Sequence, residues 1–316
     1  MSPRAGKKSL SGLEMRTSWR PILTVLVSPQ MGRIAGLIVV ALVAVLAATT
    51  TASGRERIAT ACADNVIQPG TLTVGTDNPA FPPWFGGGAK KGSTWKINDP
   101  STGKGFESAV VYAVAKKLGF THANVTWVYT PFARSYAPGK KSFDFDINEI
   151  SYTPARAKVV SFSSSYYDVN QAVVVRKGTP IANIRSTAGL RKYKLGAQLG
   201  TTSYDYIVKH IKPSQKPAVY QQNIAAVSAL KNGQIDGLVV DLPTSFYVTA
   251  VQVPNSKILG QFPTAARGEH FGMVFAKGNP LTACVNRALS SLRKSGQLKR
   301  IQQTWLGKAA GAPVLR

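Results

Sequence analysis

Along residues 143–151 the sequence FDFDINEIS alternates apolar and polar side chains, so Phe143, Phe145 and Ile147 face one way and Asp144, Asp146 and Asn148 the other. A period of two is the signature of a β-strand. The strand runs through Ser151 and Thr153 into Pro154, whose fixed φ suits the first turn of a helix carrying Arg156 and Lys158. Similar strands are expected at 70–77 (GTLTVGTD) and 125–129 (VTWVY). Between them Phe106, Val110, Val114 and Leu118, with Val111 and Ala115 beside them, form a helical stripe ended by Gly119. Strands alternating with helices predict a parallel α/β sheet. After the apolar run at 171–175 the pattern starts again, with strands at 193–198 and 235–241 and helices at 203–211 and 223–232. The apolar segment 271–276 follows. Asn279 and Pro280 then open a helix with the stripe Leu281, Cys284, Val285, Ala288, Leu289 and Leu292, and a last helix is expected over 298–306.

A length of 316 residues allows two domains, and 44% hydrophobic with 17% charged residues is a globular composition. The amino-terminal part differs. After a basic stretch, Arg33 flanks an apolar run at 34–48 that is short for a membrane span and suits the core of a secretory signal. Ala59-Thr60-Ala61 has the form of a cleavage site, and a cut after Ala52 is an alternative. Residues 1–61 are therefore expected to be a targeting segment, with Met31 as an alternative start and an uncleaved anchor at 34–48 as the competing reading. Ala59 stands where a lipoprotein box has leucine, which argues against a lipid on Cys62. Export makes Cys62 and Cys284 a candidate disulfide. His122, His210 and His270 are scattered and no CxxC occurs, so no metal site is expected.

Residues 1–61 hold eight Lys or Arg and two Asp or Glu, which leaves 31 cations against 12 acids, or +19, in the rest. The cations are dispersed and not interleaved with aromatics, which disfavours nucleic acid as a partner. The chemistry instead concentrates at strand ends. A strand end delivering a hydroxyl, free amides at a helix start and Arg156 within six residues is suited to hold a carboxylate. The Leu199-Gly200-Thr201-Thr202 turn also exposes amides at a helix start. Pro79, Pro82 and Pro83 stiffen a loop displaying Phe81, Trp84 and Phe85, and Asp241 ends a strand, where it either meets a solute or caps the next helix.

These stretches resemble, in the expected order and over roughly residues 66–307, the bacterial extracytoplasmic solute-binding proteins that feed polar amino acids to ABC importers. The resemblance rests on Ser151-x-Thr153 followed by Arg156, the Phe81 loop, Gly105-Phe106-Glu107, the Thr201-Thr202 turn and the strand ending in Asp241. Ala109 departs from it, standing where a second acid is usual. The family implies a two-lobed α/β fold of the type II periplasmic binding protein kind, its lobes joined by two crossing strands. Lobe one would be 62–171 with 272–316, and lobe two 172–271. It further implies that Arg156 grips an α-carboxylate, Thr202 meets that carboxylate from the opposite lobe and Asp241 binds the α-ammonium. Phe81 would lie on the ligand, with Trp84, Ser151 and Thr201 nearby. It implies a binding component outside the cytoplasm, needing no cofactor, monomeric and partnered by a membrane permease; an exported dehydratase on the same scaffold is the alternative. Glu149 is two residues from Ser151 on a strand and should face the same way. An acid there repels a second ligand carboxylate and suits a cation, which points to a polar or cationic amino acid.

Overall fold

The first strand, β1 (Leu72–Thr76), is buried along its whole length. In this computed structural model, which describes Cys62 and residues 64–263, 268–307 and 312–316, it lies inside the lobe-one sheet, with a parallel strand on either side. The expected targeting segment at 1–61 lies outside the described residues.

After β1 come α1 (Phe106–Leu118), β2 (Val125–Tyr129), the short α2 (Phe132–Ser135) and β3 (Phe145–Asp146). Next are α3 (Pro154–Val159), β4 (Val160–Phe162) and β5 (Tyr167–Asp168). The chain then enters lobe two through β6 (Gln171–Arg176), followed by β7 (Leu195–Gln198), α4 (Thr202–Tyr206), β8 (Ala218–Tyr220) and α5 (Asn223–Lys231). That lobe is completed by β9 (Gly237–Asp241), α6 (Leu242–Tyr247) and β10 (Ser256–Gln261). Strands β11 (His270–Phe271) and β12 (Val274–Ala276) return to lobe one, which ends in α7 (Leu281–Lys294) and α8 (Gln297–Leu306).

Sheet one has the order β2-β1-β3-β12-β4, parallel across β1, β2 and β3 and antiparallel at β12. Sheet two has the order β10-β6-β9-β7-β8. The crossing strands are expected at 171–175 and 271–276, but β6 lies inside sheet two and β12 inside sheet one, and the pair between the lobes is β5 with β11, antiparallel, Tyr167 opposite Phe271. In β6, Val173 and Val175 pack into one apolar cluster and Val174 into another, so both faces of the sheet are covered and the strand reads as a continuous apolar run. In lobe one, α1 packs Phe106, Val110 and Val114 against β1 and the closing helices, filling one core with Leu289 and Leu298.

Three other expectations change. The alternation at 143–151 does not divide core from solvent: Asp144 and Asp146 are both buried, and Asp144 accepts the Ile67 and Thr73 N–H groups at 2.6 and 2.7 Å, tying down the entry to β1. The strand there is also shorter than expected, because Glu149 adopts φ 53° and breaks the pleat. Finally, the tail does not stay with lobe one. Val314 bridges to Gln261 and Leu315 joins a lobe-two core, where a Cβ on Gly260 would come within 2.7 Å of both the Leu315 side chain and the Pro313 carbonyl.

Cys62 and Cys284 are disulfide-bonded across a sequence separation of 222. Closing so long a loop removes unfolded-chain entropy, so replacing both with Ser is expected to lower stability by about 2 to 5 kcal/mol. Urea unfolding checks this; equal midpoints for the two proteins would refute it.

Candidate functional site

The cleft lies beyond the carboxyl ends of β1, β7 and β9, where open α/β sheets place their ligands. Phe81, Glu149 and Ser151 line it from lobe one and Thr201, Thr202 and Asp241 from lobe two, six of the eight residues the sequence nominated. The Phe81 ring sits 6.4 Å from that of Tyr247, across the lobes. Thr201 does two local tasks: its hydroxyl donates to the Gln198 carbonyl and accepts from the Tyr204 N–H at 3.1 Å, capping α4. Thr202 Oγ1 is 3.2 Å from Ser151 Oγ and so joins the lobes.

The other two nominees do not line the cleft. Trp84 is not displayed by its loop. It is 1% exposed, packed edge-on against Phe106, Tyr167 and Phe271, because a ring of that size finds more apolar contact in the core than at a rim. Its indole Nε1 nevertheless donates to Thr244 Oγ1 at 2.9 Å, and Thr244 does line the cleft. Arg156 is 8% exposed, its guanidinium 4.2 Å from the Tyr136 ring. Nη1 donates to the Ser151 carbonyl at 2.6 Å and Nη2 to the Gly200 carbonyl at 2.8 Å, one in each lobe. Two donors are thereby engaged, and a guanidinium has five. Burial lowers its pKa from the ordinary value of 12.5.

Glu149 and Ser151 share the cleft, although not through strand alternation. Glu149 stands in the left-handed region at φ 53°, and its N–H donates to Glu107 Oε1 at 2.7 Å. Its own Oε2 accepts from Thr244 Oγ1 at 2.8 Å, across the lobes. Glu107 also accepts from the Tyr166 hydroxyl. A chain of hydrogen bonds therefore runs from the core of lobe one through Glu149 to α6 of lobe two.

The groups the sequence did not nominate are mostly polar. Asp77, just after β1, lines the cleft, and its placement at a parallel strand's end was signal enough to find it. Gln171 and Glu269 lie where the lobes join and carried no local signal. Gln171 Nε2 donates to Asp241 Oδ1 at 2.5 Å and to both Glu269 oxygens, while Ser203 Oγ donates to Gln171 Oε1 at 2.6 Å. Glu269 also accepts from Ser151 Oγ. Asp241 begins α6 without bonding any amide of that helix, so its carboxylate is not a cap.

Carboxylates thus crowd in and beside the cleft. Burial pushes Asp77 up to about 6 and Glu107 up to about 7. Glu149 is raised well above its ordinary value by burial and then by the charges of Asp241 and Glu107. Asp241 is likewise raised by burial and by Glu269. No cluster of three or more metal-ligating His, Cys, Asp or Glu side chains occurs among the described residues.

The sequence over residues 72–308 matches the model of the bacterial extracellular solute-binding proteins, family 3. The chain belongs to that family. It is 26% identical to an arginine-binding periplasmic protein of Mannheimia haemolytica over 217 residues, 64% of this chain and 82% of that one. An ancestral arginine-binding protein bound to glutamine superposes with a TM-score of 0.62 at 30% identity, covering 76% of this chain and 99% of that one. An ancestral amino acid-binding protein, a precursor of cyclohexadienyl dehydratase, superposes at 0.60 with 28% identity, covering 75% and 95%. Among the described residues of this family member, no helix is long and apolar enough to cross a membrane.

The raised acids set a pH dependence. Glu107 holds its proton up to about pH 7 in the folded chain and to 4.5 when unfolded. Its contribution is complete below pH 4.5 and is lost as pH rises through 7. Without solute, unfolding free energy is expected to fall by about 1 to 3 kcal/mol from pH 5 to pH 8, with a shallower slope in Glu107→Gln. Urea titrations across that range decide it; parallel slopes would remove Glu107 as the cause.

Proposed function

We propose that the protein is the amino-acid-binding component of an ABC importer, working outside the cytoplasm, and that its ligand is a cationic amino acid. The observation that carries this is the charge of the cleft: Asp77, Glu149 and Asp241 on its wall and Glu269 beside Ser151, against one buried guanidinium. An α-carboxylate suits the hydroxyls of Ser151 and Thr202 on the cleft wall, with the charge of Arg156 behind that wall, where its guanidinium holds the Ser151 and Gly200 carbonyls. The α-ammonium goes to Asp241, already oriented by Gln171. That leaves Asp77 and Glu149 for a second cation, with Phe81 offering a ring face. A zwitterion would leave these two carboxylates uncompensated, and an acidic side chain would add to the repulsion. The name of the arginine-binding relative of Mannheimia haemolytica agrees with this choice, while the ancestral arginine-binding protein bound to glutamine makes a neutral polar amino acid the competing ligand.

Both lobes hold ligand groups, so closure completes the cage, and the closed form is the one a membrane permease would receive. The exported chain acts as a monomer, and residues 1–61 direct its export as a cleaved signal. It works by binding alone: prephenate-like substrates incubated with it should give no product, and turnover would favour the dehydratase reading instead.

Calorimetry is expected to rank arginine, lysine and histidine above glutamine, and glutamate and aspartate last. The reverse order would sink the assignment. Arg156→Ala should weaken binding by about 3 to 5 kcal/mol, roughly two to four decades, with the fold retained. A cation beside Glu149 and Asp241 favours their charged forms, so binding releases protons and affinity should rise from pH 5 to pH 8. A pH-independent affinity would place the ligand's cation elsewhere.

A further inference from the structure

The acids of this protein are largely inside. Of the 12 after residue 61, Glu107, Asp144 and Asp146 are buried. Asp77, Glu149, Asp241 and Glu269 surround the cleft. Of the others, Asp205 pairs with Lys209, while Asp99 and Asp236 accept backbone N–H groups. The outer surface is therefore more basic than the net charge conveys.

One face concentrates this. Residues 270–316 hold eight Lys or Arg and no Asp or Glu. There α7 and α8 turn their apolar stripes to the core and leave Arg287, Arg293, Lys294, Lys299 and Arg300 exposed. The Cys62–Cys284 disulfide fixes the amino-terminal end of the described chain on α7, with Arg287 Nη2 3.0 Å from each sulfur and Asp64 the one acid on that strap. The sequence leading into Cys62 contains the apolar run 34–48, then Arg55 and Arg57. The described chain therefore begins, at Cys62, on this basic pair of helices.

We propose that the α7–α8 face of lobe one docks on anionic phospholipid headgroups, holding the protein at the bilayer that carries its permease. Attraction to a charged leaflet grows with each cation near it and dies away within a Debye length, so cations sharing one face act together where scattered ones do not. The inference rests on the reading of the chain as an exported binding component. Lipid binding and amino-acid binding are measured separately, so either can fail alone.

The test is co-sedimentation of the exported, disulfide-bonded protein with phosphatidylcholine vesicles, with and without phosphatidylglycerol. Binding is expected only with phosphatidylglycerol and should weaken as salt rises. The triple variant Lys294→Glu, Lys299→Glu, Arg300→Glu should bind such vesicles at least ~10-fold more weakly. Lys177→Glu, Lys216→Glu, Lys231→Glu, the same charge change on exposed lobe-two sites, should leave vesicle binding unchanged. Unaltered amino-acid affinity confirms that both variants fold. Equal losses in the two variants would overturn the proposal in favour of diffuse charge, as would binding independent of phosphatidylglycerol.

Discussion

Several carboxylates withdrawn together into one cleft are the constraint on which the rest of this structure turns. Each carboxylate withdrawn from water loses hydration, and several withdrawn together also repel one another. Asp77, Glu149 and Asp241 stay there because hydrogen bonds hold them: Asp77 accepts from the Asn78 N–H, Glu149 from Thr244 and Asp241 from Gln171. Their shifted pKa values express the same fact, since part of the charge is relieved by holding protons. The proposed cationic ligand would supply the remaining compensation.

The lobes are coupled by the same groups. Glu149 is fixed at both ends, its N–H on Glu107 inside lobe one and its carboxylate on Thr244 of lobe two, whose hydroxyl also accepts from Trp84. Its left-handed backbone is tolerated because Glu107 and the core ring of Tyr166 hold the turn. Arg156 makes a second connection through the Ser151 and Gly200 carbonyls. Groups on the cleft wall, Glu149, Ser151, Thr202 and Thr244, are therefore also groups that tie the lobes together, so a charge entering the cleft would act on that same network.

The sequence made the scaffold legible wherever local pattern and burial agreed. The α1 and α7 stripes each place one apolar surface and the β6 valines place two, and all were readable from the local pattern. Phe81, Ser151, Thr202 and Asp241 were readable because strand ends and helix starts define where a ligand sits. Trp84 was misplaced because a Pro-rich loop looks the same whether its rings face a cleft or a core. The role of Asp144 was hidden for a related reason: alternation reports two faces and not which is wet. Gln171 and Glu269 were invisible, since the fold alone brings residues 98 positions apart together. Glu149 reached the cleft by a route the strand argument did not contain, a turn that reverses the pleat.

Separating acids from bases also shapes how a ligand is captured. A basic exterior repels a cationic solute at long range, whereas an acidic cleft attracts it only near the mouth. At physiological ionic strength the Debye length is about 8 Å, so the outer charges on α7, α8 and lobe two are screened over most of the approach. Within the cleft screening is weaker, because its walls exclude water and ions, and there the carboxylates dominate. Selection of the proposed cationic ligand would then be local, made by Asp77, Glu149 and Asp241 and not by the overall field. A strongly basic surface is consequently compatible with the proposed preference for cations, provided the acids are withdrawn to where screening fails.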